Sequence, residues 1–348
     1  MNYMISSKEI RSLTGIRGIA ALYVALYHNL EIQKYTGESK AQIFINHGYL
    51  SVDLFFILSG FVMALSSRRL FEGAFSLKDY LLFMSKRFAR LYPMYLLTIC
   101  AAFVFVNHFD GKVNFIIGLT LLTIVTGHDF VITHLWSLST EWVAYLFFPV
   151  LIRVSHRFDS LKWTLLLVIA AVAAITYAYF LGKDLTSNHA GFAIFPVPVL
   201  IRCFAEYTLG ILACKFFKGY QGSHALHRVF ALASLLLLSI LLCFPNTDVL
   251  VIAIFAILVT SISTDDGAVA SFFASKPIYF LGLISYSLYL IHLLLLIIGH
   301  RKGYDLGSAI LENLVYLAAL IPLSYICFRF IELPLQKIIN HKVRLTFS

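Results

Sequence analysis

The chain has 348 residues, of which 60% are hydrophobic and only 13% are charged. This low charge, with a mean hydropathy of +0.84, excludes an ordinary soluble domain, in which about a quarter of the residues are charged. We predict a polytopic membrane protein. The net charge of +9 is not evidence for a nucleic-acid partner, because in such a protein the location of basic residues matters more than their sum.

Ten apolar segments are long enough to cross about 30 Å of hydrocarbon, which takes about 20 helical residues. They are 12–30, 48–66, 91–109, 135–152, 162–181, 196–217, 229–244, 248–263, 278–299 and 309–331. An eleventh segment, 113–127, is shorter. If it does not cross, and the chain begins in the cytoplasm, most of the 27 Lys and Arg residues lie in cytoplasmic loops, as the positive-inside rule requires. We therefore predict ten spans with both termini cytoplasmic and a re-entrant or interfacial segment 113–127.

The predicted fold is an all-α membrane helix bundle that forms one domain over residues 1–348. The longest polar connection, 67–90, is strongly basic and is predicted to be a cytoplasmic loop. The five cysteines lie in apolar runs without a CxxC pair, so they indicate neither a disulfide framework nor a zinc site. No secretory cleavage site follows the first apolar segment, which we interpret as a retained span.

The first span, LTGIRGIAALYVALYHN, carries Arg17 near its beginning and His28 near its end. Eleven helical residues turn through about 1100° and advance roughly 16 Å, so both side chains share one face. An ionisable side chain in the middle of a membrane costs roughly 3 kcal/mol on insertion scales and is by default a candidate functional residue. Two on one face strengthen that hypothesis.

The second span begins SVDLFFILSGF, which places Asp53 just inside its outer end, at a depth similar to that of His28. A carboxylate that accepts a hydrogen bond from an imidazole fixes its tautomer and raises its basicity. Alternatively, Asp53 caps the outer end of the helix. Ser59 and Gly60 are more simply small residues of a helix interface.

The basic segment ends SKRFARLYP, in which Arg87 and Arg90 are three residues apart and share a helix face. The planar fork of arginine suits phosphate groups. The alternative is that these residues serve membrane topology or contact anionic lipid.

The segment LWSLSTEWVAYLFFPV places Glu141 a turn or two below the outer surface. Trp136 suits the interfacial aromatic belt, whereas Glu141 needs a partner at that depth. Ser137 is not surrounded by a nucleophile elbow, so hydrogen bonding at the beginning of the helix is the simpler role. Arg202 and Glu206 are four residues apart and are expected to neutralise each other.

Towards the end, YFLGLISYSLYLIHLLLL places His292 in the outer half of its span, and IELP carries Glu332 and Pro334. A single histidine on an apolar helix is often a core residue, but His292 shares the outer layer with His28, so an acceptor-positioning role is the alternative. The outer-loop histidines His108, His128 and His134 lack ligand spacing, and no metal is assigned.

In sum these segments resemble the acyltransferase 3 family of integral membrane O-acyltransferases, over nearly the whole chain and in the same order. The motifs that carry the resemblance are TGIRGIAALYVALYH, SVDLFFILSGF, KRFARLYP, LWSLSTEWVAYLFFP, ISYSLYLIH and IELP. Two positions depart from the family: Trp142 stands where a second acid is frequent, and Thr14 replaces a frequent Asp. The SGNH-type esterase domain of some members has no counterpart, so the membrane domain or a separate partner is expected to complete transfer.

The resemblance implies transfer of an acyl group, most simply acetyl, from cytoplasmic acyl-CoA to a sugar hydroxyl of an envelope or exported glycan. Acyl-CoA is then a co-substrate and no cofactor is bound permanently. The implied donor-binding residues are Arg17, Arg87, Arg90 and Tyr92; the catalytic residues are His28, Asp53 and Glu141; acceptor positioning falls to His292, Trp136 and Ser137; the structural motif residues are Ser59, Gly60, Glu332 and Pro334. His28 acts either as a general base or as a covalent acyl carrier.

A different class of protein remains open: a transporter or flippase that uses the same polar face as a path and performs no chemistry. Such a protein would not bind or consume acyl-CoA. The family places the protein in a multi-pass cell membrane, the bacterial inner membrane, where membrane lipids and the glycan acceptor are its partners. The sequence does not indicate the oligomeric state.

Overall fold

A computed structural model describes residues 9–32, 39–71, 73–106, 112–126, 133–157, 160–181, 196–219, 224–301 and 309–347. Over these ranges the secondary structure is helical and contains no strand, which confirms the predicted all-α class. The helices are α1 (Arg11–Ile32), α2 (Lys40–Asn46), α3 (Ser51–Ser67), α4 (Leu77–Val106), α5 (Lys112–Gly118), α6 (Thr123–Thr126), α7 (Trp136–Arg157), α8 (Leu161–Leu181), α9 (Pro196–Gly219), α10 (His224–Leu241), α11 (Asp248–Ile262), α12 (Ala268–Phe273), α13 (Lys276–Arg301), α14 (Ala309–Cys327) and α15 (Leu333–Phe347), with a π-helical turn at Phe328–Glu332 between the last two.

Eight helical stretches of the described chain are long and apolar enough to cross a membrane; they contain α3, α4, α7, α8, α9, α10, α13 and α14. Hydrocarbon offers no partners to backbone groups, so long apolar segments satisfy them internally as helices. The predicted total of ten is higher. The span predicted at 248–263 is a helix of only 15 residues, and α1, with 22 residues, carries Arg17, His28 and Glu31. The chain is thus a multi-pass membrane helix bundle.

The segment 113–127 does not form a single helix. Its described part is divided between α5 and α6, and Leu121 between them has φ of +60°, in the left-handed region that ends a helix. Ser139 stabilises the break, because its hydroxyl donates to the Leu121 carbonyl (3.0 Å) and accepts from Ile124 N (2.9 Å). Seven residues of α5 extend only about 10 Å, so the described part does not span. Gly127 lies outside the described residues.

The loop predicted over 67–90 is partly helical, because α4 already begins at Leu77 and contains Pro93 in its interior. Phe83 and Met84 are buried, whereas Lys86, half a turn further along the helix, is exposed. This amphipathic pattern extends the helix beyond the apolar segment. With 30 residues α4 is about 45 Å long, so the basic motif lies on a rigid helix.

The packing of α1 against α13 lies at the centre of the bundle and depends on glycine. A Cβ atom added to Gly18 would lie within 3.0 Å of Gly282 N, and one added to Gly282 within 3.0 Å of the Thr14 carbonyl. Small residues permit such close backbone approach between membrane helices. A second close approach joins α3 and α9, where Gly60 faces the Tyr207 carbonyl.

We expect Gly18→Ala to destabilise the protein by about 1–3 kcal/mol, the usual cost of overpacking, because the added methyl group cannot be accommodated without separating α1 from α13. Gly299→Ala is the matched control, since a Cβ atom at Gly299 has nothing within 4 Å. The measurement is the thermal midpoint of each variant in detergent. Equal midpoints for the two variants would contradict the close approach.

Candidate functional site

A cavity of about 700 Å³, counting the part open to solvent, lies between α1, α3, α4, α7 and α13. Its polar and charged lining includes Arg17, Arg90, Glu141, Ser59 and Ser137. Aromatic side chains of α3 and α13 supply much of the remaining wall. Five of the residues predicted from sequence motifs, which are far apart in the chain, therefore meet at one cavity.

The two arginines are the exceptional feature of this cavity. Among the described residues, neither Arg17 nor Arg90 forms a hydrogen bond or an ion pair. Arg90 and Glu141 are the charged side chains with the strongest electrostatic effect on Arg17. Because a guanidinium withdrawn from water is costly without a partner, two unpaired ones facing one cavity favour an anionic ligand.

Glu141 is the acid of the cavity, and one of its oxygens is already engaged. Glu141 Oε1 accepts hydrogen bonds from Ser59 Oγ and from Tyr145 Oη (2.5 Å). Tyr145 is one turn along α7, while Ser59 reaches across from α3. The interpretation of Ser59 as merely a packing residue is therefore incomplete, because its hydroxyl orients the carboxylate.

His28 does not line this cavity but belongs to a group of histidines beside it. Its ring lies 5.1 Å from that of His292 between centroids, and the His292 ring lies 4.8 Å from that of His134. His134 and His292 are buried. Among the described residues, no group of three His, Cys, Asp or Glu side chains is arranged to hold a metal ion. We call His28, His134 and His292 the histidine cluster.

Backbone contacts define the tautomers of the histidine cluster. His292 Nδ1 lies 2.5 Å from the Tyr289 carbonyl oxygen, which only accepts, so in the neutral ring Nδ1 carries the proton and Nε2 accepts. His28 Nδ1 lies 3.0 Å from the Val24 carbonyl and 3.1 Å from His292 Nε2. Both neighbours are acceptors, so His28 Nδ1 donates. In the neutral ring, His28 Nε2 is therefore the nitrogen without a proton, the form that a base or nucleophile requires.

The expected pairing of Asp53 with His28 is wrong. Asp53 Oδ1 instead accepts from the guanidinium of Arg202, which also donates from Nε to Glu206 Oε1 at 3.1 Å. A short loop between antiparallel helices places Asp53 and His28 at similar depths in the membrane. It does not determine how each helix is rotated about its own axis. The rotation of α3 turns Asp53 towards α9, and His292 takes the place that we expected Asp53 to occupy. A catalytic role for Asp53 stays a prediction.

Three other predicted residues, Arg87, Tyr92 and Trp136, pack against aromatic side chains outside the cavity. The Arg87 guanidinium is 5.6 Å from the centre of the Phe83 ring, and Tyr92 stacks on Phe88 with centroids 4.3 Å apart. Trp136 lies edge-on to Phe56 at 6.3 Å. These three residues are not part of the lining of the cavity.

The position of Glu332 follows from the backbone distortion that precedes Pro334. Proline lacks an N–H and its ring disturbs the preceding turn, and the turn before Pro334 is a π-helix, Phe328–Glu332, in which Leu333 N bonds to the Phe328 carbonyl. Such bulges are frequent at functional sites. This one directs Glu332 into the protein, where its Oε2 accepts from Ser287 Oγ at 2.6 Å.

The sequence analysis missed two residues of the site. It did not select Tyr289, and it gave His134 no role. Tyr289 lines the cavity, its hydroxyl lies 2.7 Å from Ser137 Oγ, and its carbonyl positions His292. It therefore separates the cavity from the histidine cluster. One signal in the sequence could have identified His134, because it lies only three residues before Ser137. Its burial was not expected, because it was assigned to a loop.

These features define a membrane helix bundle with a cavity lined by two arginines and a glutamate, beside a cluster of three histidines. The model of the acyltransferase 3 family, described as an acyltransferase domain, matches residues 10–329. The chain belongs to this family and is a membrane acyltransferase.

Named relatives agree with that assignment. Acyltransferase MdmB of Streptomyces mycarofaciens is 28% identical over 335 residues, covering 86% of this chain and 83% of that protein. O-acetyltransferase OatA of Staphylococcus aureus is 24% identical over 364 residues, covering 96% of this chain but only 58% of that protein. Protein 2 in the picA locus of Rhizobium radiobacter is 42% identical over 88 residues, 25% of this chain and 40% of that protein. No solved structure matches the chain.

We expect Asp53→Asn to lower the thermal midpoint strongly, because removing one partner of a buried ion pair costs about 3–5 kcal/mol. The double variant Asp53→Asn, Arg202→Gln should be less stable still, since it also leaves the buried Glu206 without its guanidinium partner. Thermal unfolding in detergent measures both. A wild-type midpoint for Asp53→Asn would show that the ion pair is not structural.

Proposed function

We propose that this protein moves an acyl group, most simply acetyl, from acyl-CoA on the cytoplasmic side of the bacterial inner membrane to a sugar hydroxyl of an envelope or exported glycan. The observation that carries the proposal is the pair of guanidinium groups, Arg17 and Arg90, that form no ion pair among the described residues and face a cavity beside a histidine whose Nδ1 lies against two acceptors. A membrane O-acyltransferase needs both features: a site for an anionic donor and a base for the hydroxyl.

The donor assignment rests on charge. The phosphates of acyl-CoA are anionic, and arginine binds phosphate through parallel N–H donors. Arg17 and Arg90 face the cavity, and Arg87 stands one turn before Arg90 on α4. Glu141, held by Ser59 and Tyr145, is a counter-charge for the arginines when no donor is bound. The extended pantetheine arm then carries the thioester along the cavity towards Tyr289.

The base assignment rests on the hydrogen bonds of the histidine cluster. In the proposed reaction, His28 Nε2 removes the proton from the acceptor hydroxyl, and the oxygen forms a bond with the acyl carbonyl carbon. The carbon–sulfur bond of the thioester breaks, and the CoA thiolate takes the proton from His28. If His28 is instead an acyl carrier, Nε2 itself attacks the carbonyl carbon, CoA leaves, and the acceptor oxygen then displaces the imidazole. His292 holds the ring in either route.

The positions of Arg17 and His28 along α1 support separate sites for the donor phosphates and the acceptor hydroxyl. Arg17 and His28 belong to one unbroken helix, so their Cα atoms are roughly 16 Å apart. One end of the helix serves the charge of the donor and the other end the hydroxyl of the acceptor.

CoA should stabilise the wild-type protein in detergent, by about 2.7 kcal/mol at a concentration of 100 Kd. Arg17→Gln and Arg90→Gln should each weaken this binding by about tenfold, because a hydrogen bond to a charged group contributes roughly 1.5–3 kcal/mol. Arg69→Gln, at an exposed arginine outside the cavity, is the control. The thermal midpoint is measured against CoA concentration. No shift in the wild-type protein would favour a transporter or flippase over an enzyme.

His28→Gln should reduce acyl transfer by about 10²- to 10⁴-fold, the usual contribution of a general base, without abolishing CoA binding. The measurement is incorporation of label from labelled acetyl-CoA into membrane glycan. His227→Gln, at a buried histidine of α10 outside the site, should retain normal transfer. Undiminished labelling by His28→Gln would refute its role, and acid-labile label on the wild-type protein that is missing from His28→Gln would select the acyl-carrier route.

A further inference from the structure

His134 is held tightly although its side chain lacks partners. It is buried, with 2% of its surface exposed, and within the described part of the chain neither ring nitrogen has a hydrogen-bond partner. The backbone at His134 is fixed, because its carbonyl accepts from Ser137 Oγ (3.1 Å) and Tyr289 Oη (3.2 Å). The ring packs between His292 at 4.8 Å and Tyr289 at 5.3 Å.

Such an arrangement is costly in a folded protein. A buried polar group without a hydrogen bond costs roughly 1–3 kcal/mol, so each such group calls for an explanation, for example a ligand or an ordered water. The backbone groups of Leu290 and Tyr289 lie close enough to the ring to raise the pKa of His134, but neither makes a hydrogen bond of normal length and angle to it. The backbone at His134 is fixed and its ring is buried against His292 and Tyr289, so the ring is not free to turn towards another partner.

The state of the ring restricts the chemistry of its ligand. His134 lies in the turn before α7, and burial, with a smaller effect of His28, lowers its pKa to about 3. A neutral imidazole offers one N–H donor and one acceptor. It therefore suits a hydroxyl group, which is also a donor and an acceptor, better than a phosphate or a carboxylate.

We infer that His134 forms part of the acceptor subsite and binds a hydroxyl group of a polyhydroxylated acceptor, next to the hydroxyl-activating His28. This inference rests on the proposed function and assigns the acceptor side of the same site. A donated N–H also stabilises negative charge on the acceptor oxygen while His28 takes its proton.

The test measures acetyl transfer from labelled acetyl-CoA to methyl glucoside, with the full-length protein in detergent and over a range of methyl glucoside concentrations. His134→Phe keeps a flat ring without nitrogen atoms and should raise the KM for methyl glucoside at least tenfold. The CoA-dependent shift of the thermal midpoint should be unchanged. His134→Asn, which again offers a donor and an acceptor, should recover part of the loss, and His227→Phe is the matched control at a buried histidine elsewhere.

Stability separates a binding role from a structural one. Because His134→Phe removes two unsatisfied polar atoms, its midpoint without ligand should be at least that of the wild-type protein. An unchanged KM in His134→Phe, an equal effect of Phe and Asn, or loss of the CoA-dependent shift would overturn the inference while leaving the proposed function intact. Absence of transfer by the wild-type protein would instead contradict the proposed function, and the inference with it.

Discussion

The close contact between α1 and α13 is the constraint on which the site depends. Gly18 and Gly282 let the two backbones approach so closely that neither position has space for a Cβ atom. About three turns along the same contact, His28 Nδ1 comes within 3.1 Å of His292 Nε2. A wider separation of the helices would break this hydrogen bond and release the His28 ring. In this protein, helix packing therefore determines which nitrogen of the His28 ring donates to His292.

A second consequence is that α1 joins two chemically different environments. Arg17 faces the cavity with Arg90 and Glu141, whereas His28 lies with the other histidines. Tyr289 stands between the two regions, because it lines the cavity and also contacts the His134 and His292 rings. The two arginines and Glu141 thus lie towards one end of α1, and the histidine cluster lies towards the other. That division matches a reaction between an anionic thioester and an uncharged alcohol.

The sequence was sufficient for the all-α class, the family and the meeting of Arg17 with Arg90, because apolar length and motif order specify them. It was wrong about Glu141, which was expected in the outer layer with His28 but lines the cavity with the two arginines. It was not sufficient for contacts that depend on rotation about helix axes. Asp53 has the expected depth but pairs with Arg202 on α9. His134 appeared to be an ordinary loop histidine, since neither its burial nor its missing partners follows from local sequence. The helical extension of α4 to Leu77 was missed because an amphipathic end is less apolar than a span.

Packing against the Val24 carbonyl and His292 Nε2 places two acceptors at His28 Nδ1, so this nitrogen carries the ring proton. Nitrogen NMR of the protein labelled with ¹⁵N-histidine measures this directly, and comparison with His28→Gln identifies the His28 signals. The account predicts a protonated Nδ1 and an unprotonated Nε2 for His28 at neutral pH. The reverse tautomer, with the proton on Nε2, would contradict it.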